Sequence, residues 1–337
     1  MIKVNAGKNI KVGKADFSRR QFLMLMAGLS CLPLLSACMI EDQPVSIAAH
    51  VWAGYEPMFL ARSEGWLDSK QVKLFETGSA TESLQALADG KVDGAALTLD
   101  EVLRARANGL PLSVVMVFDV SAGADVMVTR PGIKTLGDLK GKRIAYEQGA
   151  VGELMLSAIL QAAGLPREAV KGISLPSDKH DEAWDHGTAD AFITYEPVAR
   201  RLISKGAVNL FDSRQIPDTI VDVLAVRSDV LDRSHAAAIR NLISAHFKAL
   251  GHMRHNPQDA SYRMATRMGL PADQVMGAFQ GMVLPDAINN RRMLAGPTPQ
   301  MAGSARSLSD LMLKAGFLQQ EAPLTGLFSA DYLPAPD

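Results

Sequence analysis

Cysteine is almost missing from this chain: the 337 residues contain two, Cys31 and Cys38, both within the first forty. Beyond residue 40 there can be no internal disulfide, no cysteine-ligated metal and no cysteine nucleophile. Net charge is nearly missing as well. Thirty-five Lys and Arg against 36 Asp and Glu leave a formal −1, which removes the electrostatic case for a nucleic-acid partner. No apolar run after residue 40 reaches the roughly 20 residues that a membrane-crossing helix needs. The seven histidines show no close metal spacing. His180 and His186, with Asp181, Glu182 and Asp185 between them, read as a solvated charged helix. Neither a Gly-x-Ser-x-Gly elbow nor a phosphate-binding Gly-rich loop with Lys-Ser/Thr occurs. Internal repeats and low-complexity segments are also lacking, and the sixteen methionines sit at helical spacing as core filler. Neither a metal nor a cofactor is expected.

What is present begins with a leader. Lys3, Lys8, Lys11 and Lys14 precede any acid, and Ser18-Arg19-Arg20-Gln21-Phe22-Leu23 opens an apolar run to Ala37. A basic stretch before a short apolar core is an export signal. The paired arginines ahead of Phe22-Leu23 resemble a twin-arginine signal, with Sec-type export as the alternative. Leu35-Ser36-Ala37-Cys38 resembles a lipobox, so residues 1–38 are expected to be removed or lipidated, with Cys38 carrying the lipid. At about 0.8 kcal/mol per buried CH₂, two or more acyl chains anchor a protein stably. The plainer reading of Cys38 is a small apolar residue in a signal peptide.

From Val45 onward short apolar runs alternate with amphipathic segments, the pattern of an α/β fold. Expected strands include Val45 to Val51, Val72 to Phe75, Val92 to Leu97, Leu112 to Phe118, Arg143 to Tyr146, Ala189 to Thr194 and Ile220 to Val226. Ser79-Ala80-Thr81-Glu82 is a capping box opening a helix. Past Ser234 the chain is mostly helical. Arg130-Pro131-Gly132 interrupts the alternation before it restarts, which suggests two lobes: 45–129 with 225–337, and 130–224. Hinges are expected near Thr129–Pro131 and Val221–Leu224.

Five stretches make the reading specific. They are Trp52-Ala53-Gly54-Tyr55-Glu56-Pro57 with Gly65-Trp66-Leu67; Thr81-Glu82-Ser83-Leu84-Gln85-Ala86-Leu87 with Gly90 and Asp93; Ser121-Ala122-Gly123-Ala124-Asp125; Leu136-Gly137-Asp138-Leu139-Lys140-Gly141; and Gly187-Thr188-Ala189-Asp190-Ala191 with Thr194-Tyr195-Glu196-Pro197. In this order the chain resembles the solute-binding proteins of ABC importers for nitrate, sulfonates, taurine, bicarbonate and the pyrimidine precursor of thiamine. The resemblance implies a periplasmic-binding-protein fold of type II topology, an ABC permease and ATPase as partners, and a monomer at the outer face of the membrane or in the periplasm.

In open α/β sheets ligands sit beyond the carboxyl ends of strands. The candidates are therefore Trp52, Gly54, Tyr55 and Glu56; Ser79 and Thr81; Thr98 and Asp100; Ser121 and Asp125; Gly149 and Gly152; Tyr195 and Glu196. Trp52 and Tyr55 offer flat walls with polar edges, although Trp52 also suits a core. Helix starts by Ser79-Thr81 and Gly149-Gly152 suit an oxyanion. Glu56 before Pro57 is either a helix cap or a ligand contact, Ser79 and Glu82 are first of all a capping box, and Tyr195-Glu196-Pro197 is a pocket or a strand-to-helix junction. Asp222 lies inside an apolar strand, where a carboxylate is costly unless partnered. It balances an arginine or faces a cationic ligand group. With Glu56, Asp100, Asp125, Glu196 and Asp222 at candidate positions and few bases among them, the set favours a ligand with an amine or other cationic nitrogen. Enzymes of thiamine-pyrimidine or menaquinone synthesis on the same fold are the rival class. The synthase type needs a cysteine-rich iron motif, which the chain lacks. A sensor subunit reporting to a membrane receptor is the third reading.

Overall fold

A computed structural model describes residues 42–335. The expected export signal and the Cys38 lipidation site lie outside these residues. Two sheets organise the rest. The first has the order β11-β4-β10-β3-β1-β2, with β1 Val45–Ala49, β2 Val72–Glu76, β3 Gly94–Thr98, β4 Leu112–Ser121, β10 Val221–Arg227 and β11 Met282–Val283. The second has the order β7-β6-β8-β5-β9, with β5 Asp125–Thr129, β6 Arg143–Tyr146, β7 Lys171–Ser174, β8 Ala191–Tyr195 and β9 Val208–Asp212.

In the first sheet β1 runs parallel to β2 and β3, and β10 runs antiparallel between β3 and β4. In the second, β6 is parallel to β7 and β8, and β5 is antiparallel to β8 and β9. Strands covered on both faces must be apolar throughout. β3 and β8 are accordingly buried at every position. Gly94 has a local reason to be glycine, because a Cβ there would come within 2.7 Å of the Ala225 carbonyl on β10. The long helix Ala236–His255 buries Ile239, Leu242, Ile243 and Leu250 and packs on the helix Glu56–Ser63 of the first half. Among the described residues no helix is long and apolar enough to cross a membrane.

The chain passes between the sheets twice, through residues 122–124 and 213–220. The first passage therefore lies before β5, and not near Thr129–Pro131 where the sequence suggested a hinge. β5 pairs in the second sheet, and β10 returns wholly to the first. Proline and glycine at 131–132 mark a surface turn, which is why they looked like a boundary. The two passages are tied to each other. Ser121 Oγ lies 2.8 Å from Ser213 Oγ, the Gly123 N–H donates to Ser213 Oγ at 2.6 Å, and the Ser121 N–H donates to the Ile220 carbonyl at 3.0 Å.

Candidate functional site

A cavity forms where the two halves meet, lined by His50, Trp52, Tyr55, Ala80, Thr98, Glu101, Asp125, Val151, Tyr195 and Asp222. His50 and Trp52 follow β1, Thr98 ends β3 and Tyr195 ends β8. Asp125 opens β5 directly opposite Tyr195, because the two strands are antiparallel. Ala80 and Val151 begin helices, one in each half. The cavity measures only about 10 Å³, room for the centre of one water. A larger guest requires the halves to separate.

The aromatic groups interlock across the junction. Trp52 and Tyr195 meet edge to face with centroids 5.4 Å apart, and His50 stands 5.4 Å from Tyr55 and 5.6 Å from Tyr195. The Trp52 indole donates to Asp119 Oδ2 at 3.0 Å, and the Tyr55 hydroxyl donates to Asp222 Oδ1 at 2.5 Å. Gly54 makes this possible, since a Cβ would collide with Asp119 and the indole nitrogen. Asp119 and Asp222 are cross-strand neighbours on β4 and β10, an arrangement that two ionised carboxylates would destabilise.

Burial dominates the titration of these acids. It pushes Asp222 well above the usual carboxylate range, with the charges of Asp119 and Asp125 adding to the effect. Asp119 rises to about 7 through burial, opposed by the Trp52 indole and pushed further by the charge of Asp125. Asp125 rises to about 7 for the same first reason, opposed by Ser121 and pushed further by Asp100. Glu101 is raised by burial and then by Asp100. His50 falls to about 3, chiefly through burial and then through Arg267, so its ring is neutral. Asp125 Oδ2 is buried with no hydrogen-bond partner.

Each helix start at the cavity is filled by an acid from the opposite half. Glu147, just past β6, accepts from the Thr81 N–H at 2.8 Å and the Thr81 hydroxyl at 2.6 Å. Glu101 accepts from the Val151 N–H at 3.3 Å and from its own half through the Thr98 N–H at 2.9 Å. Gly152 lets this helix start pack against the end of β6 in its own half, because a Cβ there would lie 2.9 Å from the Glu147 backbone nitrogen. Arg104 and Glu153 add an ion pair at 3.0 Å across the same seam. Among the described residues no cluster of His, Cys, Asp and Glu has the arrangement to hold a metal ion.

Residues 52–260 match the NMT1/THI5-like family. The chain belongs to that family. It is 25% identical over 256 residues to a putative aliphatic sulfonates-binding protein of Escherichia coli, covering 74% of this chain and 79% of the relative. The alkanesulfonate-binding protein SsuA from Xanthomonas axonopodis pv. citri, bound to MOPS, superposes with a TM-score of 0.71 at 18% identity, covering 85% of this chain and 97% of that one. The expected periplasmic-binding-protein fold is thus the fold observed. It is not confined to transport: the desulfurization enzyme DSZB superposes with a TM-score of 0.62 at 15% identity, covering 86% and 97%.

Within this family member, six of the candidates named from sequence line the cavity: Trp52, Tyr55, Thr98, Asp125, Tyr195 and Asp222. Thr81 and Ser79 sit beside it in the capped helix start, with Ser79 Oγ accepting from the Glu82 N–H at 3.3 Å. Ser121 belongs to the crossover. Gly54 and Gly152 act through close approach, and Gly149 takes a positive φ of 83° in the turn before Val151. Asp100 is buried behind the lining. Two candidates lie elsewhere. Glu56 pairs with Arg267 and faces an open groove with Phe59, Arg62 and Glu76. Glu196 pairs with Arg200 at 3.4 Å. Each has found a partner that sequence position alone did not show. Asp222, for which an arginine partner was one option, has Tyr55 and Asp119 beside it instead.

Sequence reasoning missed His50, Glu101, Asp119 and Glu147. His50 and Glu147 sit directly after β1 and β6, the same rule that picked out the others. Glu101 completes a Thr-x-x-Glu pattern with Thr98. Asp119 was passed over because the apolar run was ended three residues early, at Phe118, and the strand continues to Ser121.

Proposed function

We propose that this chain is the extracytoplasmic solute-binding component of an ABC importer, closing two hinged halves over a small solute. The observation that carries this reading is the cavity itself. Its walls come from both sheets, and among the described residues the only covalent links between the sheets are two short passages tied together at Ser121 and Ser213. Hinge closure around a ligand follows from such a layout. The relatives described as sulfonate-binding proteins support uptake of a small organic solute. The leader supports export, and Cys38 supports a lipid anchor at the outer face of the membrane. A monomer working with a permease and an ATPase completes the proposal.

Capture is favoured over catalysis. The one imidazole on the cavity is neutral, and its Nδ1 has no partner that would orient it as a base. Small-angle scattering of the purified protein, with and without a cell extract filtered to small molecules, tests the reading. Capture predicts a raised melting temperature with extract, with or without a change in the radius of gyration, and an unchanged radius together with an unchanged melting temperature would refute it.

A further inference from the structure

The charge around the cavity says more about the guest than the relatives do. Three acids line it, Glu101, Asp125 and Asp222, and its lining holds neither lysine nor arginine. Asp119 stands directly behind Trp52, and Glu147 closes on Thr81. The two helix starts that would receive an oxyanion are already filled by Glu147 and Glu101. A sulfonate entering here would meet buried carboxylates, with those two N–H donors taken and no cation in the lining, a costly arrangement.

An unpartnered buried atom points the same way. Asp125 Oδ2 is a carboxylate oxygen with no hydrogen bond, on a residue that is 3% exposed and lines the cavity. Trp52, Tyr55 and Tyr195 line it too, and aromatic rings attract organic cations. Among the described residues the acids do not converge as metal ligands. An orphan acceptor calls for an N–H donor, which a protonated amine has and a quaternary ammonium lacks.

We propose that the cavity recognises a protonated amine, its ammonium group donating to Asp125 Oδ2 between Asp222 and the rings of Trp52, Tyr55 and Tyr195. This rests on the solute-capture reading and narrows it to a class of ligand. A sulfonate group is compatible only as the far end of a molecule whose amine enters first.

The test uses the purified full chain in titration calorimetry and thermal shift against two panels. One contains butylamine, putrescine, agmatine and taurine; the other contains butanesulfonate, butyrate, nitrate and tetramethylammonium. Members of the first panel are expected to bind and those of the second to leave the protein unchanged. Asp125→Asn, which keeps the shape and removes the charge, should weaken the amines by about tenfold or more, the loss of one charge-assisted hydrogen bond. Binding confined to butanesulfonate, butyrate or nitrate would overturn the amine assignment and leave solute capture standing. Preference for tetramethylammonium would overturn the N–H argument. No response to any compound, here and to cell extract, would remove both readings. Because the wild-type panels decide the matter alone, a misfolded Asp125→Asn does not protect the proposal.

Discussion

Glu147 holds Thr81 by both its backbone N–H and its hydroxyl, at 2.8 and 2.6 Å, so an acid of the second sheet caps a helix of the first. Hydrogen bonds to charged groups contribute roughly 1.5–3 kcal/mol each. Removing both with Glu147→Ala is expected to shift the protein towards an open form by tenfold or more. Scattering would show a larger radius of gyration for the unliganded variant, and an unchanged radius would show that the closed arrangement does not depend on this contact.

The buried acids set a pH dependence. Asp119 and Asp125 titrate at about 7 when folded and near the usual carboxylate value of about 4 when unfolded. The folded protein therefore binds more protons between those values, and its stability falls as pH rises from about 4 through 7. Asp125 is faced by Asp119 and Asp222 from β4 and β10, by Asp100 and Glu101 from the helix Leu99–Ala107, and by Tyr195 from β8. The melting temperature without ligand should be higher at pH 5.5 than at pH 8, and Asp125→Asn should flatten the slope. A flat wild-type profile would contradict the burial argument.

Binding of a cation should have the opposite sign. An ammonium group favours the ionised carboxylate, so amine affinity should rise about tenfold from pH 6 to pH 8 for one group titrating near 7. Calorimetry in buffers of different ionisation enthalpy would register proton release on binding. Proton uptake would count against an ionised Asp125 as the partner.

Trp52 tests packing and recognition together. It is buried, and its N–H is committed to Asp119, so Trp52→Ala would cost about 3–5 kcal/mol as a core truncation before any ligand is considered. Trp52→Phe is the sharper change. It should lose about 1–3 kcal/mol of stability from an unsatisfied Asp119, measured by chemical denaturation. No loss would mean that Asp119 is satisfied without the indole.

Much of the fold was legible because strands buried in the middle of a sheet are mostly apolar, whether parallel or antiparallel: β1, β3, β6, β8 and β10 all stood out. β5 was not picked out, because only three residues separate it from β4. β9, Val208-Asn209-Leu210-Phe211-Asp212, is an edge strand with polar and exposed positions and carries no clear period. The site was half legible. Position after a strand end pointed to Trp52, Tyr195 and Thr98, but it cannot tell a free acid from a paired one. Glu56 and Glu196 were chosen on position and proved to be matched by Arg267 and Arg200, contacts made by distant or neighbouring helices.

The proposed leader and anchor allow a separate check. Cys38→Ala is expected to leave export intact and move the protein from the membrane fraction to the soluble periplasmic fraction. Retention in the membrane fraction would rule out Cys38 as the anchor.

The most direct measurement is mass spectrometry of the small molecules released when natively purified protein is denatured. Near-stoichiometric release of one amine-bearing compound from the wild type, and its loss from Asp125→Asn, is the predicted result. A compound without a basic nitrogen, or equal amounts from both proteins, would contradict the account.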